Sequence, residues 1–469
     1  MLTPTLSYRL RRRLGTAWCA PLLTQAARRG AAPLAARLLA NQVRFVGGAG
    51  GTGREVVRLL LLCKSGFTED MAAAFDTEAG VRLLALDRIL TKAIFAAFLP
   101  LEVDDNNYRS AGAEYDGAKQ ALREFWAALW PRFRAAVRLD AVLTGNFAYC
   151  AEQEMAAAAE GLGTPFITVQ KECLKTPGLE PFYGALYRER RQAFAGRLVC
   201  NYNRIERGLQ LANAITGEAG NVLTGMPRLD AVHRWRAGFG DRPRSLGAVP
   251  RAVFMSFSER TGAPMMPRKG ALRYEALDAE YAGVGFNRLA GEVHRAAVET
   301  ARRAPGAEIV IKAKDDARAL AALRTSFGAG FTPPANLSIV SGGDPFELIT
   351  TADVVVGFNS TALFEALAAA VPVIVPEFAE AADPAIRPYV IDLAGAARHA
   401  ASAEELIEGV LDHLAPGNGG GAGRALPTIL SPAAAQVLDH WLGNADGGAG
   451  RRVADAVLAT VAAARNPAP

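Results

Sequence analysis

Two α/β domains, each a doubly wound parallel sheet and each opening its functional loops onto a shared cleft, are the architecture this sequence predicts. Three observations carry that expectation. The 469 residues exceed the length at which one hydrophobic core keeps growing. Short apolar runs alternate with helix-forming segments through most of the chain, the rhythm of strand–helix–strand units. That rhythm breaks once, over 231–250, where a Gly-, Pro- and Arg-rich stretch reads as a linker.

The first domain is expected over 55–230. It opens on the run 56–63, which contains Leu59, Leu60, Leu61 and Leu62. A parallel strand is buried on both faces, so it shows continuous apolar residues instead of alternation. Further strands are expected at 81–86, 140–144, 165–169, 197–200 and 221–224, with helices at 69–75, 90–99 and 151–160. The second domain is expected over 251–430. Its strands are placed at 252–257, 308–311, 337–340, 354–356 and 371–375, and its helices at 288–303, 317–327, 346–351 and 361–370. The Gly-rich 416–423 reads as a flexible link. Helices at 432–442 and 451–464, within 431–469, are expected to pack back on the domains. Open α/β sheets bind ligands at the carboxyl ends of their strands, so both domains point their loops into the cleft.

Charge is unevenly placed. Residues 1–54 carry nine Arg and no Asp, Glu or Lys, which leaves 43 basic residues against 47 acidic in the rest of the chain. The body is therefore slightly acidic, and nucleic acid is not an expected partner. The arm mixes its arginines with Trp18, Leu22, Leu23, Leu34 and Leu38 and lacks the apolar core of a secretory signal. Such a segment suits peripheral contact through 1–40 with an anionic membrane; the plainer reading is a poorly ordered extension. No run of 18 apolar residues exists to span a bilayer. The five cysteines are scattered, with no Cys-x-x-Cys pair, which fits a reducing cytosol and neither a zinc site nor a disulfide framework.

The most informative stretch runs from Ala352 to Pro376: a strand, a tight polar turn, a helix and another strand. Gly357 allows backbone to approach a ligand closely. Asn359, Ser360 and Thr361 are N-cap residue types at the helix start. The free N–H groups and positive dipole of that helix end suit a phosphate. Glu365 follows Thr361 by four residues and shares its face, where a carboxylate can accept hydrogen bonds from ribose hydroxyls. Without a ligand the same residues read as a capped helix.

This stretch resembles the nucleotide-binding motif in the C-terminal domain of GT-B glycosyltransferases, whose two Rossmann-like domains face each other across a cleft. The resemblance implies that Ser360 and Thr361 meet a diphosphate and that Glu365 meets the ribose. Thr224-Gly225-Met226-Pro227-Arg228-Leu229-Asp230 is similar to the TGNPRFD signature of bacterial enzymes that build capsules and other surface carbohydrates, among them proteins like CDP-glycerol glycerophosphotransferases. Met226 stands where that signature has Asn. The segment 444–452 is similar to their closing DG-x-A-x-x-R motif. The activity implied is transfer of a sugar from a nucleotide-activated donor to a surface-polysaccharide or glycolipid acceptor, with no cofactor.

Lys312 and Lys314 alternate with apolar residues at a strand end and so face one side; at a cleft they would neutralise a diphosphate leaving group. Related enzymes read K-x-H-P here, and this chain lacks the His. In the first domain Lys171 and Glu172 end the strand 165–169. A sugar hydroxyl needs a base to become a nucleophile, and Glu172 is the candidate; as a plain surface pair it would do nothing. Ser65, Asp104 and Asn146 lie at other strand or loop ends and, with Lys171, are candidate acceptor contacts. The five histidines form no His-x-x-x-His pair and there is no Asp-x-Asp motif, so no metal is expected.

Other readings remain open at this point. A glycerophosphotransferase or a nucleotide-sugar 2-epimerase would use the same architecture, and a non-catalytic relative would merely bind. Gly48 to Gly53 matches G-x-G-x-x-G, the dinucleotide fingerprint of NAD-dependent oxidoreductases, but that fingerprint requires a strand before it and a helix after it.

Overall fold

The computed structural model describes residues 6–48, 56–64, 66–105, 107–189, 193–264, 281, 283–315, 317–328, 330–415 and 425–466. The first domain is built on seven strands: β1 (Arg44–Gly47), β2 (Val57–Cys63), β3 (Val81–Asp87), β4 (Ala141–Thr144), β5 (Phe166–Val169), β6 (Leu198–Asn201) and β7 (Asn221–Leu223). Their order is β1-β3-β2-β4-β5-β6-β7, parallel throughout except for the antiparallel edge β1. After the two-residue β8 (Arg244–Ser245), the second domain holds β9 (Arg251–Met255), β10 (Glu308–Ala313), β11 (Leu337–Ser341), β12 (Val354–Val356), β13 (Val373–Pro376) and β14 (Arg398–Ala400). They form an all-parallel sheet in the order β11-β10-β9-β12-β13-β14, and β15 (Ala425–Leu426) pairs back with β8. Apart from the antiparallel edge strand β1, each sheet starts near its middle, at β2 or β9, and winds outward both ways. The direction reverses between β2 and β4 in one domain and between β9 and β12 in the other, and those switch points are where open α/β sheets receive ligands. This is the doubly wound pair of the GT-B architecture.

The strand residues explain the layers. Leu59, Leu60, Leu61 and Leu62 are all fully buried, two on each face of the first sheet. Val354, Val355 and Val356 do the same in the second sheet. The helix Cys150–Gly161 lies almost entirely out of solvent because Trp130, Phe147 and Phe166 belong to the core it covers.

Two expectations are corrected. The arm is not an extension apart from the domain. Helices Leu6–Arg28 and Ala32–Gln42 pack on it, with Leu23, Ala35 and Leu39 fully buried, and β1 then joins the sheet edge. The linker 231–250 also begins inside a helix, Leu229–Ala237, whose Leu229 and Val232 are buried beside the helix Thr361–Ala368. The apolar spacing of those residues outweighed the Gly- and Arg-rich composition. Gly48 follows β1, residues 49–55 lie outside those described, and the next described element is strand β2. Among the described residues the motif is thus followed by a strand, where a dinucleotide fingerprint requires a helix.

The chain's last helix, Ala449–Arg465, crosses back to the first domain, where Val453, Val457 and Val461 are buried with Phe67 and Met71. A dense seam fixes the crossing. Asp230 accepts hydrogen bonds from Asn444 Nδ2 (2.7 Å) and from the backbone N–H of Ala449 (3.2 Å) and Gly450 (2.7 Å). Arg452 donates to the Thr224 carbonyl (2.8 Å), the Gly443 carbonyl (2.9 Å) and Asp446 (2.7 Å). Gly225 lies at φ 83°, and a Cβ there would stand 2.3 Å from the Gly443 carbonyl oxygen, so the close approach demands glycine. Most of the two surface-carbohydrate signatures is thus spent on joining the chain's end to the first domain.

Candidate functional site

The sheets bring one set of charged groups to the switch points. On the first domain, Lys64 follows β2, Asn146 follows β4, and Lys171 and Glu172 follow β5. Asn146 is buried; its Oδ1 accepts from the Ala148 N–H at 2.8 Å and its Nδ2 donates to Glu172 Oε2 at 3.2 Å. Lys64 Nζ lies 3.1 Å from Glu172 Oε1, and the Glu172 side chain is 54% exposed. The buried Lys175 Nζ donates to the Glu172 backbone carbonyl at 2.7 Å and sits 3.8 Å from the centre of the Tyr183 ring. Glu172 is therefore held on both carboxylate oxygens and at its backbone, while remaining open to solvent.

Beside it stands a pair that sequence reasoning missed. Arg228 meets Asp70 through two nitrogens, at 3.0 and 3.4 Å. Asp70 is buried, and that burial holds its carboxyl above the ordinary range although Arg228 opposes it. Burial also lowers the Lys171 ammonium; Asp70 works against this, while Arg228 and Lys64 add to it. Arg228 lies within a quoted signature, yet only its resemblance drew notice. Asp70 is 158 positions away from its partner, and nothing local to the sequence marks it.

From the second domain Glu365 reaches the same place. It is 4% exposed, and no hydrogen bond to its carboxylate is found among the described residues. Burial pushes its carboxyl up to about 7, with Arg228 opposing and Asp344 and Asp70 reinforcing the rise. Lys312 is lowered by burial, against the pull of Asp315 and Asp344. A continuous run of mutually felt charges thus crosses the cleft, from Lys312 and Asp344 through Glu365 and Arg228 to Asp70, Lys171, Lys64 and Glu172.

The polar turn before Glu365 divides its labour. Asn359, at φ 45°, is a loop clamp: its Nδ2 donates to the Tyr389 carbonyl at 2.9 Å and its Oδ1 accepts from the Ile391 N–H at 2.8 Å. Gly357 is required by packing, since a Cβ would stand 2.8 Å from Leu363 Cδ2 and 3.1 Å from Met255 Cβ. Ser360 Oγ caps the helix by accepting from the Ala362 N–H at 3.3 Å. Thr361 stands exposed at the tip of the helix, while Ala362 behind it is buried. At the neighbouring strand end, Glu377 pairs with Arg387 and, at 2.9 Å, with His399 Nδ1. Both line a small cavity that Asn359 also borders.

Other candidates lie apart. Asp104 serves its own turn, accepting from the Asn107 N–H at 3.3 Å. Ser65 lies outside the described residues, and Lys314, next after β10 at the same carboxyl end as Lys312, is exposed. His294 is buried between Ser256 and Ser326, and burial with the nearby Arg295 lowers it to about 4. Among the described residues no group of three or more His, Cys, Asp or Glu side chains is placed to hold a metal ion, and no helix is long and apolar enough to cross a membrane. A cavity of about 870 Å³ lies away from the switch points. It lies behind the seam, lined by Tyr202, Arg204, Thr224, His440, Trp441 and Arg452 among others.

No family model and no curated protein matches this sequence. Solved structures do resemble the fold. UDP-GlcNAc 2-epimerase from Neisseria meningitidis, solved with UDP-GlcNAc, aligns at 12% identity over 86% of this chain and 99% of that one, with a TM-score of 0.44. The α,α-trehalose 6-phosphate synthase from Burkholderia multivorans aligns at 13% identity over 87% and 98%, with a TM-score of 0.47. The glycosyltransferase of kitacinnamycin aligns at 16% identity over 87% and 100%, with a TM-score of 0.43. At such identities the likeness concerns the path of the chain alone.

Proposed function

We propose that this chain is a GT-B-type, metal-independent glycosyltransferase that moves a sugar from a nucleotide-activated donor to a bacterial surface-polysaccharide or glycolipid acceptor, working at the cytoplasmic face of the membrane. The observation that supports it most is Glu365: a buried carboxyl to which no hydrogen bond is found among the described residues, four residues past the exposed Thr361 and coupled to Arg228 of the other domain. An unpaired buried polar group is costly, and a ribose hydroxyl is the kind of group that relieves it. The donor diphosphate rests on the amides at Thr361, with Lys312 and Arg228 balancing the charge that develops on the leaving group. Glu172, oriented by Lys64 and Asn146, takes the proton of the acceptor hydroxyl. Closing the domains keeps water from the donor.

A second reading has one observation in its favour. Asp70 and Glu365 are two carboxyls with raised pKa values on opposite sides of one site, the acid and base that a nucleotide-sugar 2-epimerase would need. It predicts turnover of the nucleotide sugar with no acceptor present.

Thermal denaturation with UDP, CDP, GDP and CMP tests the shared premise. A ligand of the folded state at one hundred times its Kd stabilises by about 2.7 kcal/mol, so one nucleoside diphosphate should raise Tm clearly, and Lys312→Ala and Thr361→Glu should abolish the rise. No rise with any nucleotide, or an equal rise in both variants, would sink the proposal. Glu172→Gln should then cut transfer by about 10²–10⁴-fold while leaving nucleotide binding intact.

A further inference from the structure

We infer that the paired N-terminal helices form a docking face for an anionic lipid surface, and that this face is the outward side of helix Leu6–Arg28 together with that of Ala32–Gln42. The inward side of the first helix is used up: Thr16, Cys19, Leu23, Ala26 and Ala27 are buried against the domain. The outward side is not the polar surface that a helix turned to water normally shows. Trp18 is 75% exposed and Leu22 55% exposed, one helical turn apart on the same side. Arg28 and Arg29, both exposed, end the helix. On the second helix Leu34 is 51% exposed, with exposed Arg37 three residues on.

An apolar stripe flanked by arginines is the pattern of a helix lying in a bilayer interface, with Trp and Leu entering the acyl boundary and guanidinium groups reaching the headgroups. Charge selects the occupant. Residues 1–54 contain nine Arg and no acidic residue, whereas the rest of the chain is net negative. An anionic surface therefore attracts this side, where Arg28, Arg29 and Arg37 stand exposed, which orients the molecule as well as holding it. A second copy of the same face would bring like charges together and is disfavoured for the same reason. The face belongs to the domain that carries Glu172, so docking holds that domain at the surface where a lipid-borne acceptor would lie. That last point rests on the transferase reading; the docking itself does not.

The test is sedimentation of the full chain with vesicles of phosphatidylcholine alone and of phosphatidylcholine with phosphatidylglycerol, at low and high salt. The chain should pellet with the anionic vesicles at low salt and be released at high salt. Trp18→Gln with Leu22→Gln, and separately Arg28→Gln with Arg29→Gln and Arg37→Gln, should each weaken binding by about tenfold or more. All five positions are exposed, so circular dichroism and Tm should stay as in the parent chain. No binding to anionic vesicles overturns the inference, as does binding unaffected by both sets of changes. Dimerisation in the absence of lipid that Trp18→Gln with Leu22→Gln abolishes would assign the face to a second copy instead. The nucleotide-induced rise in Tm should survive in every variant, so failure here is separable from failure of the transferase reading.

Discussion

Arg228 and Asp230 are two positions apart, yet they belong to regions built on opposite principles. Asp230 enters the seam that holds the last helix, where its carboxylate accepts three hydrogen bonds from Asn444, Ala449 and Gly450. Arg228 turns into the cleft, where it faces Asp70 and feels Glu365. Glu365 is as withdrawn from solvent as core residues are, and among the described residues no hydrogen bond reaches its carboxylate. Both regions bury carboxyls whose pKa values rise by desolvation. In the seam that cost is offset by donors already in place. In the cleft it is left open. The difference teaches how to tell a buried charge kept for architecture from one kept for a ligand: by whether its lone pairs are already spoken for.

The contrast can be broken in four places. The largest effect is expected at Asp230→Ala. It orphans two backbone N–H groups and the Asn444 amide, and at about 1–3 kcal/mol for each unsatisfied group it should cost on the order of 4 kcal/mol in denaturant unfolding. A loss below about 1 kcal/mol would mean that water replaces the carboxylate and that the seam is looser than its distances imply.

Glu365→Gln should do the reverse. A carboxyl held up to about 7 binds its proton more tightly folded than unfolded. Its contribution to stability is therefore complete below the ordinary value of 4.5 and is lost as pH rises to about 7. Above that pH the variant should be more stable than the parent by about 3 kcal/mol, and in acid the advantage should vanish. Equal stability across the range would show that Glu365 is already paired.

Next comes Arg228→Ala. On the proposed role of Arg228 in balancing the leaving group, transfer should fall by about a hundredfold, and Arg228→Lys should restore only part of it because a lysine cannot reproduce the two-nitrogen contact to Asp70. An unaltered rate would return Arg228 to a structural role beside Asp230. The smallest effect is expected at Lys64→Ala. Its ion pair with Glu172 is largely solvated, so stability should shift by less than about 1 kcal/mol. Its consequence should instead be read in the rate of transfer, which falls once Glu172 loses one of the two side chains that hold its carboxylate.

Most strands were legible because a buried parallel strand carries its signature within a few residues, as 354–356 and 308–311 do. Glu172, Asn146, Lys312, Thr361 and Glu365 could be singled out because strand ends and helix starts are local features. Asn359 and Gly357 were legible as special positions but not as to purpose. Only packing shows that one clamps a loop and the other makes room for Leu363. The helix Leu229–Ala237 was hidden by composition, and the packed helices of the arm by their unbroken basicity.

By itself the sequence determined the two-domain alternation, the charge segregated into the first 54 residues, and the polar turn that opens the helix at Thr361. Each of these follows from residues within one another's immediate reach. The tertiary structure alone decided that Arg228 meets Asp70, that Glu365 is buried within reach of Arg228, and that the chain's end is locked to Asp230. Those relations join residues more than a hundred positions apart. Pairing of that kind is settled by which surfaces the folded sheets bring face to face, and no local spacing encodes it.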